Sequence, residues 1–369
     1  MKILHFILGK ANPDRANGVN QVIYGLAKYQ SLSGHEVHVL GISKSMSNEK
    51  EIIDRKFFKV EAHKKFGNNE FKRLKDIAVA MDIVHLHGVW NHYNIQVGKY
   101  LTSISKPYVI TAHCGYSIDR MRQSNYRIKM LYHKLWQKKL YEQARGIHAI
   151  TREESADILH FCNCKNIFVI PNGVDFETYK LYQYQCKNRS VIKLGYLGRL
   201  STEKNIDNLI RTIAILPKNI RDKVELNLIG PIKTPIKRLQ QLAVNLDISD
   251  NVKFVGEKFG ADKIQALLDL DVYIHPAYSD VIGISVMEAL ALGIPSIITR
   301  TSQISYYYNS EIFEMVEPTT NDMCRGICEI IAKKNEWKSM SEKSKELAFS
   351  IFNWEKVTEK MINEYQRII

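Results

Sequence analysis

Short apolar runs alternate with longer amphipathic segments along the first half of the chain. The short runs predict buried strands, at residues 3–8, 36–40, 83–86, 108–111, 147–150 and 167–170. The amphipathic segments predict helices, among them 19–32, 71–81 and 126–144. Alternating strands and helices favour a parallel sheet that is covered on both faces.

A second series of the same kind begins after Pro171-Asn172-Gly173, whose turn chemistry indicates a hinge. Its predicted strands are 192–197, 224–229, 252–255, 272–275 and 296–299, and its predicted helices are 206–216, 236–245, 262–270 and 284–292. We therefore expect an α/β protein with two Rossmann-like doubly wound domains facing across a cleft. The expected domains are 1–170 and 171–353, with a C-terminal helix at about 354–369 packing back on the first.

The length of 369 residues suits two domains, and 45% hydrophobic with 25% charged residues is typical of a soluble globular protein. No run approaches the roughly 18 apolar residues that a membrane span needs. The apolar N-terminus contains His5 and lacks a small-residue cleavage site, so it predicts a strand rather than a secretion signal. We expect a cytoplasmic protein with free thiols, because none of its six cysteines has zinc or redox spacing.

Positive charge is concentrated in the first domain. Residues 1–170 contain 26 Lys and Arg against 14 Asp and Glu, a net charge of +12 out of +13 for the whole chain. A cationic domain of this kind suits an anionic partner such as phospholipid head groups, a phosphorylated lipid or nucleic acid.

The most informative local pattern runs from Gly195 to Asn205, between a predicted strand and a predicted helix. Gly195 and Gly198 let backbone approach a ligand closely, while Arg199 and Lys204 place two cations at the helix entrance. Two cations beside a helix N-terminus predict a diphosphate site. The alternative is a loop with two solvated charges.

A second pattern runs from Ser279 to Pro295, where Asp280 precedes a helix and Glu288 lies inside its apolar sequence. An ionised carboxylate in such a place is costly unless it is paired or hydrogen-bonded. Sugar and ribose hydroxyls are suitable partners. The structural alternative makes Asp280 a helix-entry residue and pairs Glu288 with a Lys or Arg.

These segments, in their order and spacing, resemble the retaining glycosyltransferases of family four, which have the two-domain GT-B fold. The resemblance extends over nearly the whole chain. Its motifs are Asn17-Gly18, His85-x-His87-Gly88, Thr111-Ala112-His113, Pro171–Asp175, Gly198-Arg199 with Lys204-Asn205, Asn251–Gly256, and Asp280 to Glu288 closed by Gly293-Ile294-Pro295.

The resemblance implies a catalytic role for four residues. Arg199 and Lys204 would grip the donor diphosphate and stabilise negative charge as it leaves. Asp280 would hold the transferred sugar, and His113 matches the histidine near the reacting centre.

The resemblance also implies a set of donor-binding residues. Glu288 would hydrogen-bond the ribose, and amides near the helix start would face the phosphates and the sugar. The remaining glycines would border the base or the diphosphate. The set is Gly18, Gly198, Gly230, Gly256, Gly283, Ile284 and Glu288.

Two positions depart from the family pattern. Asp280 is one methylene shorter than the usual glutamate, which puts the donor sugar's identity or position in doubt. Cys114 follows His113 where glycine is common, which narrows the backbone freedom beside the acceptor.

The resemblance further implies transfer with retention and without an enzymic nucleophile, the donor phosphate itself taking the acceptor's proton. The substrate is then a nucleoside diphosphate sugar, and we expect no cofactor and no metal. Asp269-Leu270-Asp271 is the kind of string that binds a divalent ion in other transferases. Because it lies where a helix runs into a strand, we interpret it as helix-end solvation.

The acceptor side is suggested by the segment 120–145, which interleaves basic and aromatic residues as at a membrane interface. The alternative is a solvated helix whose leucines pack on the sheet. Lysines and arginines between 64 and 75 extend the basic patch. We expect an anionic membrane surface as partner, and no nucleic acid, because no nucleic-acid motif accompanies the charge.

A cluster of His85, His87, Trp90 and His92 follows a predicted strand. Three histidines raise the possibility of zinc, but their spacing along an extended segment is poor for one metal. We expect His87 and Trp90 to contact the acceptor or to pack within the loop.

The leading hypothesis is therefore a retaining hexosyltransferase that acts on a lipid-linked or surface-polysaccharide glycan at the cytoplasmic face of a membrane. One alternative is a sugar-nucleotide epimerase of the same fold. The other is a non-catalytic sugar-nucleotide-binding subunit, which Asp280 keeps open.

Overall fold

The structure is a computed structural model that describes residues 1–13, 18–123, 125–231 and 236–369. Asn17, part of the motif before the first helix, lies outside the described residues, as does the side chain of Arg120. The chain forms two compact units: Met1–Gly173 with Trp354–Ile369, and Val174–Asn353.

The first unit is built on an eight-stranded sheet of order β3-β4-β2-β1-β5-β6-β7-β8. Its strands are β1 Lys2–Ile7, β2 Glu36–Ile42, β3 Lys50–Asp54, β4 Lys59–His63, β5 Ile83–His87, β6 Tyr108–Thr111, β7 Gly146–Ala149 and β8 Ile167–Val169. Neighbouring strands run parallel except β3 and β4. Buried on both faces, the central strands are almost continuously apolar.

The antiparallel pair β3–β4 is absent from the sequence-based prediction. β3 has the sequence KEIID and is largely exposed, so it lacks the apolar run that identifies a buried strand. It lies at the edge of the sheet, where charged side chains disfavour pairing with another chain.

Helices cover both faces of this sheet. Their bounds are α1 Gly18–Leu32, α2 Asn68–Ala80, α3 His92–Ser103, α4 Ile118–Gln123, α5 Tyr126–Tyr132, α6 Lys138–Gln143 and α7 Arg152–Phe161. The predicted continuous helix over 126–144 is wrong in one respect, because a π-helical turn at His133–Gln137 separates α5 from α6. Such turns widen the helix locally and change which side chains face outward.

The second unit is built on a six-stranded parallel sheet of order β11-β10-β9-β12-β13-β14. Its strands are β9 Ile192–Leu197, β10 Val224–Ile229, β11 Val252–Gly256, β12 Val272–His275, β13 Ser296–Thr299 and β14 Phe313–Val316. Its helices are α8 Phe176–Tyr179, α9 Ile206–Ile215, α10 Lys218–Arg221, α11 Ile236–Asn245, α12 Gly260–Leu268, α13 Ile284–Leu292, α14 Thr320–Ala332 and α15 Trp337–Phe352. The predicted pair of Rossmann-like α/β units is confirmed.

The last helix, α16 (Trp354–Ile368), belongs to the first unit. Trp354 fills a space that two glycines leave open: a Cβ on Gly25 would lie 2.3 Å from its indole, and one on Gly173 would lie 2.4 Å away. The Tyr365 hydroxyl reaches His85 of β5 at 2.5 Å. No helix among the described residues is both long and apolar enough to cross a bilayer.

We predict that Gly25→Ala destabilises the protein although alanine is the better helix former by about 1 kcal/mol. The added methyl would overlap the Trp354 indole, and overpacking of this kind costs about 1–3 kcal/mol. Denaturant unfolding measures the change. Combining Gly25→Ala with Trp354→Leu should cost less than the two single changes together. A Gly25→Ala variant more stable than the parent would contradict this packing.

Candidate active site

The candidate site of the second unit lies at the carboxyl edge of its sheet. The strand order runs outward from β9 through β10 and β11 on one side, and from β12 through β13 and β14 on the other. This reversal between β9 and β12 is a topological switch point, where ligands bind in open α/β sheets. The loops that leave β9 and β12 carry both motifs identified in the sequence.

Glycines bring the loops after β9 and β10 into contact. Gly198 and Gly230 have positive φ values of 153° and 135°, and a Cβ on Gly230 would lie only 2.1 Å from the Gly198 carbonyl oxygen. The Gly198 amide donates to the Ile229 carbonyl at 2.9 Å. Gly256, at the end of β11, also has positive φ but has open space where a Cβ would stand. The first two glycines therefore serve a loop–loop approach in this structure.

Lys204 is positioned by a tie between the loops after β9 and β12. It ends a 3₁₀ turn, Thr202–Lys204, and is followed by Asn205 in the left-handed conformation with φ of 60°. The buried Asn205 amide donates to the carbonyls of Pro276 at 2.9 Å and Pro318 at 3.0 Å. The turn is thereby fixed against the end of β12.

Asp280 is held by two side chains from different loops. Its Oδ2 accepts from Lys204 Nζ at 2.5 Å and from His275 Nε2 at 3.0 Å. Little of any of the three side chains is exposed. His275, the last residue of β12, is absent from the sequence-based site. Its position at the end of a strand, just before a predicted ligand loop, could have indicated that it belongs to the site.

Burial alone would raise the pKa of Asp280, but the His275 hydrogen bond and the Lys204 charge outweigh it, so the pKa falls below its ordinary value. Burial lowers the pKa of His275, and the Asp280 carboxylate opposes this. Asp280 is thus an ionised acceptor at neutral pH. Its contribution to folding stability is present above the ordinary carboxyl pKa and is lost on acidification.

The N-terminus of α13 adjoins this carboxylate. A Cβ on Gly283, the residue before the helix, would stand 3.2 Å from both Asp280 Oδ2 and His275 Cε1. Ile284 is the first helical residue, and the first amides of a helix have no partner within it.

Arg199 lies exposed one residue beyond Gly198, and its side chain makes no ion pair with any described residue.

Glu288 lies within α13 and is 5% exposed. Its Oε1 is 2.6 Å from Lys263 Nζ of α12, so the structural alternative of a buried ion pair is realised. Tyr179 lies beside it: burial first, and then the Glu288 charge, raise the pKa of that phenol. Lys263 and Tyr179 are missing from the sequence-based site, because neither has a local pattern that links it to Glu288.

Asp269 and Asp271 hold cations of the protein itself. Asp269 pairs with Lys187 at 3.1 Å and Lys193 at 2.6 Å, and Asp271 accepts from Arg189 at 2.8 Å. Burial would raise the pKa of Asp269, but Lys193 and Lys187 lower it to about 2. The expected helix-end solvation is therefore a three-cation cluster that braces the start of β12.

His113 and Cys114 follow β6 with positive φ values of 50° and 63°. The buried carboxylate of Glu154 holds this backbone, since its Oε1 accepts from the Cys114 amide at 2.5 Å and its Oε2 from the Ile150 amide at 2.7 Å. Two left-handed non-glycine residues in succession are costly. Glu154 stabilises the conformation that glycine would adopt without strain, and no sequence pattern pointed to it.

Three buried histidines, His5, His85 and His87, lie side by side in β1 and β5, with the nitrogens that could hold a metal within 4.8 Å of one another. His92, named in the zinc alternative, is exposed at the start of α3 and does not join them. All six ring nitrogens of the three are hydrogen-bonded, to Gln30, Tyr365, Thr111, His113 and each other. An ion at this position would have to replace some of these hydrogen bonds.

The acceptor-side residues His87 and Trp90 are engaged within the first unit. Both ring nitrogens of His87 are bonded to other histidines, which leaves none for a direct contact with an acceptor. The Trp90 indole donates to the Gly115 carbonyl at 3.0 Å. Gly18, the expected donor residue of this unit, is exposed at the start of α1.

The basic segment exposes apolar side chains. Ile128, Leu131 and Leu135 are 68%, 60% and 54% exposed, and Trp136 is 39% exposed. The alternative, in which the leucines of this segment pack on the sheet, is therefore wrong for Leu131 and Leu135, whereas Leu140 is buried. Exposed basic residues stand among them, namely Arg127, Lys134, Lys138 and Lys139.

Two family models match the chain. The model described as "Glycosyltransferase Family 4" matches residues 16–178, and "Glycosyl transferases group 1" matches residues 186–347. Together they account for most of both units.

Curated relatives match parts of the chain. An uncharacterized glycosyltransferase of Methanocaldococcus jannaschii is 27% identical over 255 residues, which are 66% of this chain and 62% of the relative. The lipopolysaccharide glucosyltransferase WaaG of Escherichia coli is 30% identical over 104 residues, 28% of this chain and 27% of its own. The chain thus matches less than two thirds of the length of these relatives.

Solved structures match the whole chain in fold. Sucrose-phosphate synthase from Thermosynechococcus elongatus has a TM-score of 0.81 at 17% identity and covers 100% of this chain and 99% of its own. Anabaena HepE in complex with UDP-glucose has a TM-score of 0.77 at 16% identity, with full coverage of both chains. With two parallel α/β units and both family models matched, the chain belongs to the family-four glycosyltransferases, of GT-B fold.

Proposed function

We propose that this chain is a retaining, metal-independent hexosyltransferase, which moves a sugar from a nucleoside diphosphate sugar to a lipid-linked or surface-polysaccharide glycan. The observation that carries the proposal is the grouping of Lys204, Asp280 and the N-terminus of α13 at the switch point of the second sheet. Cations and helix amides together suit a diphosphate. The carboxylate beside them suits a sugar hydroxyl.

The donor would bind by exchanging partners with residues that are now paired to each other. Its diphosphate would take Lys204 from Asp280 and add Arg199, which has no ion pair with a described residue. The Asp280 carboxylate, still held by His275, would then accept from a hydroxyl of the sugar. Stabilising the leaving diphosphate in this way lowers the barrier to transfer.

The ribose would be bound by a similar exchange at Glu288. Its carboxylate is paired with Lys263, and ribose hydroxyls would add to that contact or replace it. Gly256, with open space beside its Cα, leaves room for a base at the end of β11, and Gly230 borders it. A UDP-glucose complex of a protein with the same fold supports a nucleotide sugar as the donor.

The shorter carboxylate at position 280 is accommodated by its two partners. Asp280 reaches Lys204 and His275 at hydrogen-bonding distance without the extra methylene of a glutamate. The sugar would therefore lie closer to the loop after β12 than a glutamate would place it. This difference bears on which hexose is transferred.

We propose metal independence on the basis of the charges at the proposed phosphate site. Arg199, Lys204 and the α13 amides would neutralise the leaving group without a divalent ion. Asp269 and Asp271 already hold Lys187, Lys193 and Arg189. An ion would have to displace those cations.

For the acceptor, we propose a glycan or lipid-linked saccharide presented at the cytoplasmic face of an anionic membrane. One matched relative is named as a lipopolysaccharide glucosyltransferase. The first unit has a net charge of +12, and its exposed apolar and basic side chains around Leu131 and Lys134 form an amphipathic face. Faces of that composition bind the head-group region of membranes.

We predict that Arg199→Ala and Lys204→Ala each lower transfer by about a hundredfold or more, the usual effect of losing one charge-stabilising contact. Only Lys204→Ala should also destabilise the fold, by about 1–3 kcal/mol, because it leaves Asp280 with one fewer partner. Transfer is measured in EDTA over a panel of nucleotide sugars. Arg211→Ala, an exposed arginine of α9, is the matched control. Full activity of both variants would contradict the diphosphate site, and loss of all parent activity in EDTA would contradict metal independence.

We predict that the protein binds liposomes only when they contain acidic lipid, and that salt releases it. Each Lys or Arg near such a surface contributes about 1 kcal/mol, and the Debye length falls from about 8 Å at physiological ionic strength to about 3 Å at 1 M. Reversing Lys134, Lys138 and Lys139 to Glu should abolish co-sedimentation. Reversing Lys218, Lys223 and Lys253, three exposed lysines of the second unit, should not. Equal sedimentation of both triple variants would remove this surface from the proposal.

A further inference from the structure

Buried polar side chains form a continuous row across the sheet of the first unit. His85 of β5, Thr111 of β6 and His148 of β7 connect by hydrogen bonds of 2.7 and 2.8 Å. At one end His148 reaches the Ile170 carbonyl at 2.7 Å, and at the other His85 reaches the Tyr365 hydroxyl. The buried positions of a parallel sheet are normally apolar. Hydrogen-bonded polar side chains at these positions therefore indicate a role beyond packing.

The carbonyl at the end of this row fixes the direction of its hydrogen bonds. Because a carbonyl only accepts, His148 donates from Nε2, and the Nδ1 of its neutral ring accepts from the Thr111 hydroxyl. The Thr111 oxygen then accepts from His85 Nε2. His85 Nδ1 in turn accepts from the Tyr365 hydroxyl.

Gln30 connects this row to a second one. Burial raises the pKa of Tyr365, and the Gln30 side chain beside it opposes this. Because the Tyr365 hydroxyl donates to His85, its oxygen can only accept from a neighbouring group, which suits an amide NH₂ and not an amide oxygen. The Gln30 Oε1 is then the atom that faces His5 Nε2, at 2.7 Å.

The second row leads to His113. Since Gln30 Oε1 accepts, His5 donates from Nε2 and accepts at Nδ1 from His87 Nε2 at 2.9 Å. His87 Nδ1 accepts from His113 Nε2 at 3.1 Å. Each neutral ring has one protonated and one unprotonated nitrogen, so every ring in this row donates from Nε2 and accepts at Nδ1. The Nε2 of His113 is therefore protonated, and its Nδ1 has a lone pair.

We propose that Gln30, His5 and His87 are positioning residues that fix the tautomer of His113, so that its Nδ1 accepts a hydrogen bond from a hydroxyl of the bound sugar or acceptor. The proposal rests on the proposed function, because a sugar or a glycan acceptor is the hydroxyl-bearing ligand that His113 would contact. It assigns His87 an indirect role instead of contact with the acceptor. It also explains the cluster of His5, His85 and His87 without a bound metal.

The neutral state of the rings agrees with this arrangement. Burial, and then the neighbouring His148, lower the pKa of His113 to about 3, and burial lowers the pKa of His5 to about 4. A neutral ring with a lone pair at Nδ1 attracts a hydroxyl hydrogen and repels phosphate or carboxylate oxygen. The ligand atom at this position is therefore a hydroxyl or amide group and not a phosphate oxygen.

The direct test is nuclear magnetic resonance of the free protein with ¹⁵N-labelled histidine at neutral pH. Two-bond and three-bond ¹H–¹⁵N correlations distinguish the protonated ring nitrogen from the unprotonated one, and His113→Gln assigns the signals. We expect His113 protonated at Nε2 only. A proton on Nδ1 would overturn the proposal, whatever activity the enzyme has.

Two variants remove the row's influence at different points. In His87→Asn the Oδ1 stands near the former Nδ1 and still accepts, whereas His87→Phe has no acceptor. We expect the Nε2–H tautomer of His113 to persist in His87→Asn and to mix with the other tautomer in His87→Phe. Gln30→Met, farther from His113, should produce a smaller mixture if His87→Phe fails to fold. An unchanged His113 tautomer in His87→Phe would overturn the proposal. If His87→Phe does not fold, an unchanged tautomer in Gln30→Met would overturn it.

Activity then separates positioning from a purely structural effect. We expect His87→Phe to lower kcat/KM about tenfold, the effect of one hydrogen bond in the transition state. In a His113→Gln background the same change should cost less than about twofold, because the residue through which it acts is gone. Equal losses in both backgrounds would overturn the proposal. Absence of transfer with every donor would count against the proposed function, while the tautomer measurement would still stand.

Discussion

The carboxylate of Asp280 is the interaction on which the candidate site depends. It joins Lys204 of the loop after β9 to His275 at the end of β12, across the point where the strand order reverses. Gly283 lies against the same carboxylate and sets where α13 begins. A buried charge without these partners would be costly, so the two loops and the helix start are held together by the need to satisfy it.

The same principle recurs at Glu288, whose partner is Lys263. In both places a carboxylate that would bind donor hydroxyls is paired with a lysine of the protein. Such pairs balance the charge of the carboxylates and hold the side chains in place, which reduces the ordering cost of binding. In the first unit, hydrogen bonds between neutral histidines would hold side chains in place in the same way. Burial lowers the pKa of His5 and His113 and so keeps their rings neutral.

The sequence predicted the elements whose signal is local. The strands β1, β2 and β5 to β13 and the loop from Gly198 to Lys204 are readable from apolar runs, glycines and charges that lie close together in the chain, whereas β4 and the buried strand β14 were not predicted. Partners that come from distant segments were not predictable: Lys263 and Glu154 are ordinary residues until the fold places them beside Glu288 and Cys114. The exposed strand β3 and the π-helical turn were not predicted either, because neither has a distinct apolar period. His5 and His275 could have been predicted, because a histidine inside a buried strand requires a polar partner.

The loops after β9 and β12 would bind a nucleoside diphosphate sugar through its diphosphate. Calorimetric titration of the full chain in EDTA, with UDP-, GDP- and ADP-linked sugars and the matching nucleoside monophosphates, measures this binding. We expect one diphosphate sugar to bind at least about tenfold more tightly than its monophosphate, the equivalent of about 1.4 kcal/mol, and salt to weaken its binding. Equal affinity for the monophosphate, or no binding of any diphosphate sugar, would contradict binding through the diphosphate.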